Sequence, residues 1–449
     1  MMTALVGIAA PNREADLTAM LTKISYRGSA ASIFPNSSTT IGLLLPDHLK
    51  RAAANPDIFE ASAGRGHFAA ASLNGADLKL TRDLVGFAPL YYGHDAQGVL
   101  IFASEVKALL PYSQEVYELQ PGATLADGRL IPPPIPAAVE LLSMPPEEIA
   151  AELRSILDQA VKSRADTAPH FGGLLSGGLD SSVVVALARP YREKMHTFAA
   201  GVVGAPDLHY ARLAAEFLKT EHHERSVTLP EMLAVLPDVI YHMETFDALL
   251  LRSSILHYLA AQQAIDYVPA LFSGEGGDEL FAGYDYLKTL PLTQLSEELE
   301  DITGRLHNTA LQRVDRCIQA HGITGWVPIL DPDVMAFASR IPVEYKLHQG
   351  VEKWILRQVA EPLLPVEIVH RPKAKFWQGG GVSDLLANHA NLVISDRDFF
   401  AERRLPNGWT LHSKEELFYY RIFKEHFGEL ERLDWLGRTK GAPVQYPAV

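Results

Sequence analysis

Two short glycine-bearing segments hold the residue types that phosphate and metal chemistry needs. The first, Ser176-Gly177-Gly178-Leu179-Asp180-Ser181-Ser182, lies between an apolar run of buried-strand type, Phe171 to Leu175, and an apolar helical stretch, Val183 to Ala188. Its two glycines let the backbone curl until successive N–H groups face one concavity. The following helix adds the partial positive charge of its N-terminus, and the Ser176, Ser181 and Ser182 hydroxyls add donors. Such a nest suits a pyrophosphate. No Gly-Lys-Ser/Thr closes it, so it is not the usual P-loop, and a plain glycine turn at a helix start remains the alternative. The second segment, Ser273-Gly274-Glu275-Gly276-Gly277-Asp278-Glu279, follows the apolar run Val268 to Phe272. Three glycines and three acids pack poorly but suit a metal-bound polyphosphate. Asp180 and Asp278 are therefore candidate ligands of Mg²⁺, a hard cation that takes carboxylate and phosphate oxygens. Helix capping is the competing role, stronger for Glu279 than for Asp278.

The elements around these segments point to an α/β chain. After Pro145-Pro146-Glu147-Glu148, apolar residues recur at helical spacing through Ile149, Leu153, Ile156, Leu157 and Val161. Strand-like runs Thr197 to Val203 and Glu224 to Thr228 alternate with the helical stretch Tyr210 to Lys219. That alternation predicts a parallel sheet with helices on both faces. From about residue 230 onward helical periodicity dominates, as in Met232 to His242 and Ser413 to Phe427. The first 130 residues instead read as short strands, among them Phe68 to Leu73, Leu78 to Leu80 and Gly98 to Ala103. Asp95-Ala96-Gln97-Gly98 reads as a hairpin connection. The proline cluster Pro132-Pro133-Pro134-Ile135-Pro136 marks a stiff linker. The expected organisation is an N-terminal domain over 1–130, a linker over 131–145 and a second domain over 146–449.

Composition narrows the function class. The chain has 449 residues, 47% hydrophobic and 21% charged, an ordinary globular balance over two or three domains. Forty basic against 54 acidic residues leave a net charge of −14, which repels phosphate backbones and argues against nucleic acid as the main partner. A single cysteine, Cys317, suits a reducing compartment. No apolar run is long enough for a membrane span, and no secretory signal is visible, so a cytoplasmic protein is expected.

Several motifs in order resemble the asparagine synthetase family. Besides the Ser176 and Ser273 segments they are His196-Thr197-Phe198-Ala199-Ala200-Gly201, Tyr241-His242-Met243-Glu244-Thr245 and Leu417-Phe418-Tyr419-Tyr420-Arg421-Ile422-Phe423. The resemblance implies a PP-loop ATP pyrophosphatase domain, a parallel sheet with flanking helices. Before it would stand an Ntn-type glutaminase-like domain of stacked sheets. It implies adenylation of a carboxylate by MgATP, release of pyrophosphate, and attack by an amine. Residues 176–182 would then cradle pyrophosphate, while Leu175, Ala200 and Gly274, with Ser273 nearby, would border adenine and ribose. Glu275 matches the glutamate beside the adenylated carboxylate, a candidate proton acceptor. Lys373, in Arg371-Pro372-Lys373, matches the lysine facing the phosphates; an ordinary surface lysine is its alternative. Gly379-Gly380-Gly381 beyond it reads as a flap or a simple loop. Relatives in the family often pair as dimers.

The departures are as informative. The family's N-terminal cysteine is missing; Thr3 stands at its place behind Met1 and Met2. Arg27-Gly28 keeps the family's arginine–glycine turn, but Ser29 and Ala30 replace proline and aspartate, and the middle of the domain looks deleted. Arg82-Asp83-Leu84-Val85-Gly86, Pro89-Leu90-Tyr91 and Ala103 to Leu109 still match. A degenerate glutaminase-like scaffold without hydrolysis is expected. On the substrate side, Leu249-Leu250-Leu251-Arg252 replaces two threonines before an arginine, which weakens the case for aspartate. Arg252 keeps a carboxylate partner's chemistry. Thr324-Gly325-Trp326-Val327-Pro328 replaces Glu-Ala-Arg before Val-Pro, so Trp326 reads as part of a reshaped pocket or as repacking. The expected activity is an ATP-dependent ligase acting on a small carboxylic acid with ammonia or an amine. Three alternatives stand beside it: an intramolecular cyclase of the β-lactam or lasso type, a silent nucleotide-binding partner, and a PP-loop sulfur-transfer enzyme. The lactam cyclases' tyrosine–glutamate dyad is not matched, since Glu275 takes the tyrosine's place and the glutamate's falls near Pro342 and Glu344.

Overall fold

A computed structural model describes residues 4–28, 30–35, 37–45, 58–75, 77–134, 139–372, 376–382 and 384–440. Thr3, Ser29, Ile135, Pro136 and Lys373 lie outside the described residues.

The N-terminal part stacks two antiparallel sheets. One runs in the order Ala30–Pro35, Thr40–Leu45, Ala4–Ile8, Leu100–Ala103, Tyr91–His94, Val116–Glu118; the other in the order Arg129–Ile131, Thr124–Ala126, Asp77–Arg82, Phe68–Asn74, Ile58–Ser62. Strand alternation sorts the side chains. Leu5, Ile41, Leu43 and Phe102 meet Phe59, Ala69, Ala71 and Leu80 between the sheets. Ala4, Val6 and Ile8 face the other way, onto Leu17, Met20 and Leu21 of helix Glu14–Lys23. The expected hairpin at Asp95 to Gly98 forms, with the Asp95 carboxylate accepting from the Gln97 and Val99 N–H groups. Asp83 organises the next turn by accepting from the N–H groups of Phe68, Val85, Phe87 and Ala88.

The second part carries a five-stranded parallel sheet. In chain order its strands are β1 (Gly172–Leu174), β2 (His196–Val202), β3 (Glu221–Val227), β4 (Ala270–Phe272) and β5 (Thr324–Trp326), and they lie in the order β3-β2-β1-β4-β5. Helices α1 (Pro146–Ala165), α2 (Leu179–Ala188), α3 (Pro206–Leu218), α4 (Leu229–Met243) and α5 (Ala248–Ala264) connect or flank the first four strands. Farther along come α6 (Leu292–Gly304), α7 (Ala310–Gln319), α8 (Trp354–Ala360) and α9 (Lys414–Phe427). Helix starts follow sequence chemistry: Thr228 and Glu231 form a capping box on α4, and Ser413 caps α9 by accepting from the Glu416 N–H.

Beyond residue 230 helices dominate as expected and β4 lies within the apolar run Val268 to Phe272, but strand β5 goes beyond the sequence reading. It is only three residues long, too short for alternation to register, and pairing with β4 (Ala270 with Thr324, Phe272 with Trp326) makes it a strand. Trp326 is consequently core. It is fully buried against Phe171 and Phe272, and it does not line the main cavity.

The two parts are joined by buried charge. Arg27 pairs with Glu105 at 2.8 Å and with Asp315 at 2.7 Å, and Arg316 pairs with Glu105 at 2.7 Å and Glu244 at 3.1 Å. Lys107 pairs with Glu105 and, at 3.3 Å, with Glu244. Burial alone would raise the Glu105 carboxyl, but Arg316, Lys107 and Arg27 hold it well below the usual carboxylate range.

Candidate active site

In an open parallel sheet, ligands bind beyond the carboxyl ends of strands where the strand order reverses. Here that point lies between β1 and β4, and the two glycine turns leave those strands. Gly177 has φ +69°, and an added Cβ would come within 2.3 Å of the Tyr210 backbone carbon, so the first turn requires glycine. The Ser176 hydroxyl accepts from the Gly178 N–H at 3.3 Å and lies 3.1 Å from the Ser181 hydroxyl. The turns touch each other. A Cβ on Gly274 would stand 2.5 Å from the Ser181 nitrogen, and one on Gly277 would stand 2.3 Å from Asp180 Oδ1.

The two aspartates converge on one cation, Lys353. Its Nζ lies 2.6 Å from Asp278 and is hydrogen bonded to Asp180. Lys353 is buried, has φ +54° and precedes α8, with its N–H bonded to the Phe281 carbonyl at 3.1 Å. Sequence reasoning passed over it. Beside the aspartates, burial and the neighbouring Asp278 push the Glu279 carboxyl up to about 7, and Glu279 accepts from the Tyr284 hydroxyl at 2.5 Å.

These groups open onto a cavity of about 650 Å³. Of the predicted nucleotide residues, Leu175, Ser176, Gly178, Leu179, Asp180, Ser181, Ala200, Ser273 and Gly274 line it, as do Glu275, Asp278, Leu249 and Leu250. Gly177 instead backs onto Tyr210, and Ser182 is buried beneath the helix start. Arg252 is a correction. It faces away, into a separate small cavity, where Glu415 takes its guanidinium at 2.9 Å through Nε and again through Nη2. Tyr419 donates to the same carboxylate at 2.8 Å, so Arg252 braces α5 against α9 and does not face the main cavity.

Two arginines had no role assigned from the sequence. Arg313 of α7 holds Glu275 at 2.6 Å. Arg371 stacks over the Tyr210 ring at 4.1 Å, donates to the Ser176 carbonyl at 3.3 Å and binds Asp207, which fixes the chain just before Lys373. The only signal for either was a cation beside a motif, which surface arginines give as readily.

A sequence profile described as asparagine synthase matches residues 152–300 and 293–443, well over half the chain. The chain belongs to the asparagine synthase family. A second profile, the glutamine amidotransferase domain, matches residues 48–111. Asparagine synthetase B (glutamine-hydrolysing) of Escherichia coli is 35% identical over 370 residues, 77% of this chain and 67% of that protein. Asparagine synthetase 2 (glutamine-hydrolysing) of Arabidopsis thaliana is 34% identical over 374 residues, 77% of this chain and 64% of that one. The chain thus spans about two thirds of the length of these relatives. Among solved structures, an NMN synthetase from Francisella tularensis overlaps 65% of this chain and 98% of its own at 13% identity and a TM-score of 0.31, too slight a likeness to carry weight. Among the described residues, no helix is long and apolar enough to cross a membrane.

Proposed function

We propose that the chain is an ATP-dependent ligase that adenylates a carboxylic acid and joins it to ammonia or a small amine, releasing AMP and pyrophosphate, without hydrolysing glutamine. One observation carries this reading: Asp180 and Asp278, from two glycine turns in contact, aim at a single point in a cavity that also holds Glu275. Two convergent carboxylates are a fitting donor set for Mg²⁺, and Asp180 and Asp278 would hold it. Bound there, Mg²⁺ would neutralise phosphate charge and favour departure of pyrophosphate.

The chain's own residues account for the rest. The 176–182 turn and the start of α2 present N–H groups and hydroxyls to the phosphates. An oxygen of the acid attacks the α-phosphorus, the bond to the β-phosphate oxygen breaks, and pyrophosphate leaves. Lys353 supplies fixed positive charge beside the leaving group, and Lys373 is assigned the matching role from the family motif. The amine nitrogen then attacks the acyl carbon, AMP leaves with the electron pair, and the nitrogen's proton passes to Glu275. Leu249 and Leu250 on the cavity wall supply no hydroxyls for a polar acid, which disfavours aspartate.

Loss of glutamine hydrolysis is supported by the only cysteine. Cys317 is buried in the second part of the chain, and burial pushes its thiol up to about 12. Arg27, in the family's arginine–glycine turn, has its guanidinium engaged by Glu105 and Asp315. On this proposal residues 1–130 are a scaffold, 131–145 a linker and 146–449 the synthetase domain, and a single unpaired cysteine suits a reducing compartment such as the cytoplasm.

Pyrophosphate exchange into ATP, screened across carboxylic acids, tests the reading. Exchange should require Mg²⁺ and one acid class, and Lys373→Ala should abolish it. Glutamine should fail where ammonia or an amine succeeds, and measurable glutaminase activity would overturn the assignment of the N-terminal domain.

A further inference from the structure

The segment Gly437 to Lys440 supplies part of the cavity wall through Thr439 and Lys440. Three anchors fix it. Gly437 abuts the turn before α7 so closely that a Cβ there would come within 1.9 Å of the Asn308 carbonyl oxygen. Thr439 donates its N–H and its hydroxyl to the Asp247 carboxylate, both at 3.0 Å, and Asp247 Oδ1 also accepts from the Leu250 N–H at 2.8 Å. Lys440 pairs with Glu298 at 2.5 Å and Asp301 at 2.9 Å on α6. Thr439 and Lys440 both line the cavity. Asp247 therefore ties the strap to the turn of α5 that presents Leu249 and Leu250.

We infer that this strap forms one wall of the acid-binding compartment, and that the compartment takes a carboxylic acid with an apolar body. The inference rests on the ligase reading. Leu249, Leu250, Ile302, Leu306 and Ala310 line the same cavity as the strap. Its charged groups are already matched: Lys440 and Arg305 both pair with Asp301, and Glu298 is shared by Lys440 and the Tyr286 hydroxyl. A second carboxylate or an ammonium on the acid would have to compete with those part-exposed pairs, which leave it no dedicated partner there. An alkyl or aryl body breaks none of those pairs and gains by leaving water. Thr439 and Lys440 act as positioning residues that shape the compartment.

Pyrophosphate exchange should be measured with aspartate, hexanoate and phenylacetate, with MgATP binding followed separately by calorimetry. Exchange with an apolar acid is expected to exceed that with aspartate at least tenfold in kcat/KM. Lys440→Ala releases the strap from α6 and should raise the acid KM about tenfold, with kcat and MgATP affinity within twofold of the parent; Lys440→Arg should restore the KM. Gly437→Ala, which pushes the strap off Asn308 without altering a lining side chain, should act like Lys440→Ala. Equal or better exchange with aspartate refutes the compartment's assignment. So does MgATP binding with no exchange from either apolar acid, or an unchanged acid KM in Lys440→Ala. Failure to bind MgATP at all would instead remove the ligase reading itself.

Discussion

Replacing Lys353 by methionine keeps the stem and deletes one charge between two carboxylates. Contacts of 2.6 Å or less on each side put the flanking oxygens of Asp180 and Asp278 at most about 5 Å apart. At an effective dielectric of 20, two unit charges at that distance repel by roughly 3 kcal/mol. This agrees with the loss of about 3–5 kcal/mol usual when one partner leaves a buried pair. At roughly 2 °C per kcal/mol for a domain of this size, Lys353→Met should melt about 6 °C below the parent without ligands. Mg²⁺ sharpens the test. In the parent, Lys353 already neutralises the aspartates, so Mg²⁺ alone should shift the melt little; in Lys353→Met it should restore much of the loss. Pyrophosphate exchange should still fall by about 10²–10³-fold, because an oriented cation beside the leaving group is gone. A melt within 1–2 °C of the parent by scanning calorimetry, or equal Mg²⁺ shifts in the two proteins, would refute the view that Lys353 holds the metal point in the free protein.

Gly274→Ala sets a methyl against the Ser181 nitrogen and should part the two turns, abolishing MgATP binding in calorimetry while far-UV circular dichroism stays unchanged. Glu279 has a raised pKa, so the native state favours its protonated form. Its stabilising contribution is full below the unfolded carboxyl range and is lost as pH rises through about 7. Melting temperature should therefore fall between about pH 5 and 8, and Glu279→Gln should flatten that fall. Arg27→Met leaves Glu105 and Asp315 short of a partner and should cost about 3–5 kcal/mol in denaturant unfolding, with part of the loss recovered when Asp315 is also replaced by leucine.

The end of the site built on the two glycine turns is legible in the sequence because its chemistry is local. Glycines and acids that follow an apolar run can do little else, and of the residues in the two turns all but Gly177, Ser182 and Gly277 line the cavity. Lys353 is not legible. It sits 75 positions beyond Asp278 in ordinary surroundings and reaches the aspartates only through the chain path after β5. The one clue was that two acids facing a polyphosphate need a cation nearby. Arg252 and Trp326 misled for a shared reason: a substitution within a motif marks a changed environment without saying which face of the element it occupies. Strand register puts Trp326 into the core, and the i, i+3 offset from Leu249 places Arg252 beside Leu249 in the small second cavity, where Glu415 takes it.

Helix α7 links the N-terminal part of the chain to the cavity. Asp315 and Arg316 face Arg27 and Glu105 of that domain, while Arg313, on the same ten-residue helix, holds Glu275 in the cavity. Three acids, Glu105, Glu244 and Asp315, balance three bases, Arg27, Lys107 and Arg316, and each domain supplies part of either set. Neither half balances alone. Without the N-terminal domain Asp315 would lose Arg27, and Arg316 and Glu244 would lose Glu105 and Lys107, beside a helix packed on β5 and α5. Uncompensated charge of that kind draws a helix toward water, and α7 cannot shift without moving Arg313. The interface therefore fixes Glu275 through one rigid element, and the site's geometry depends on both halves of the chain.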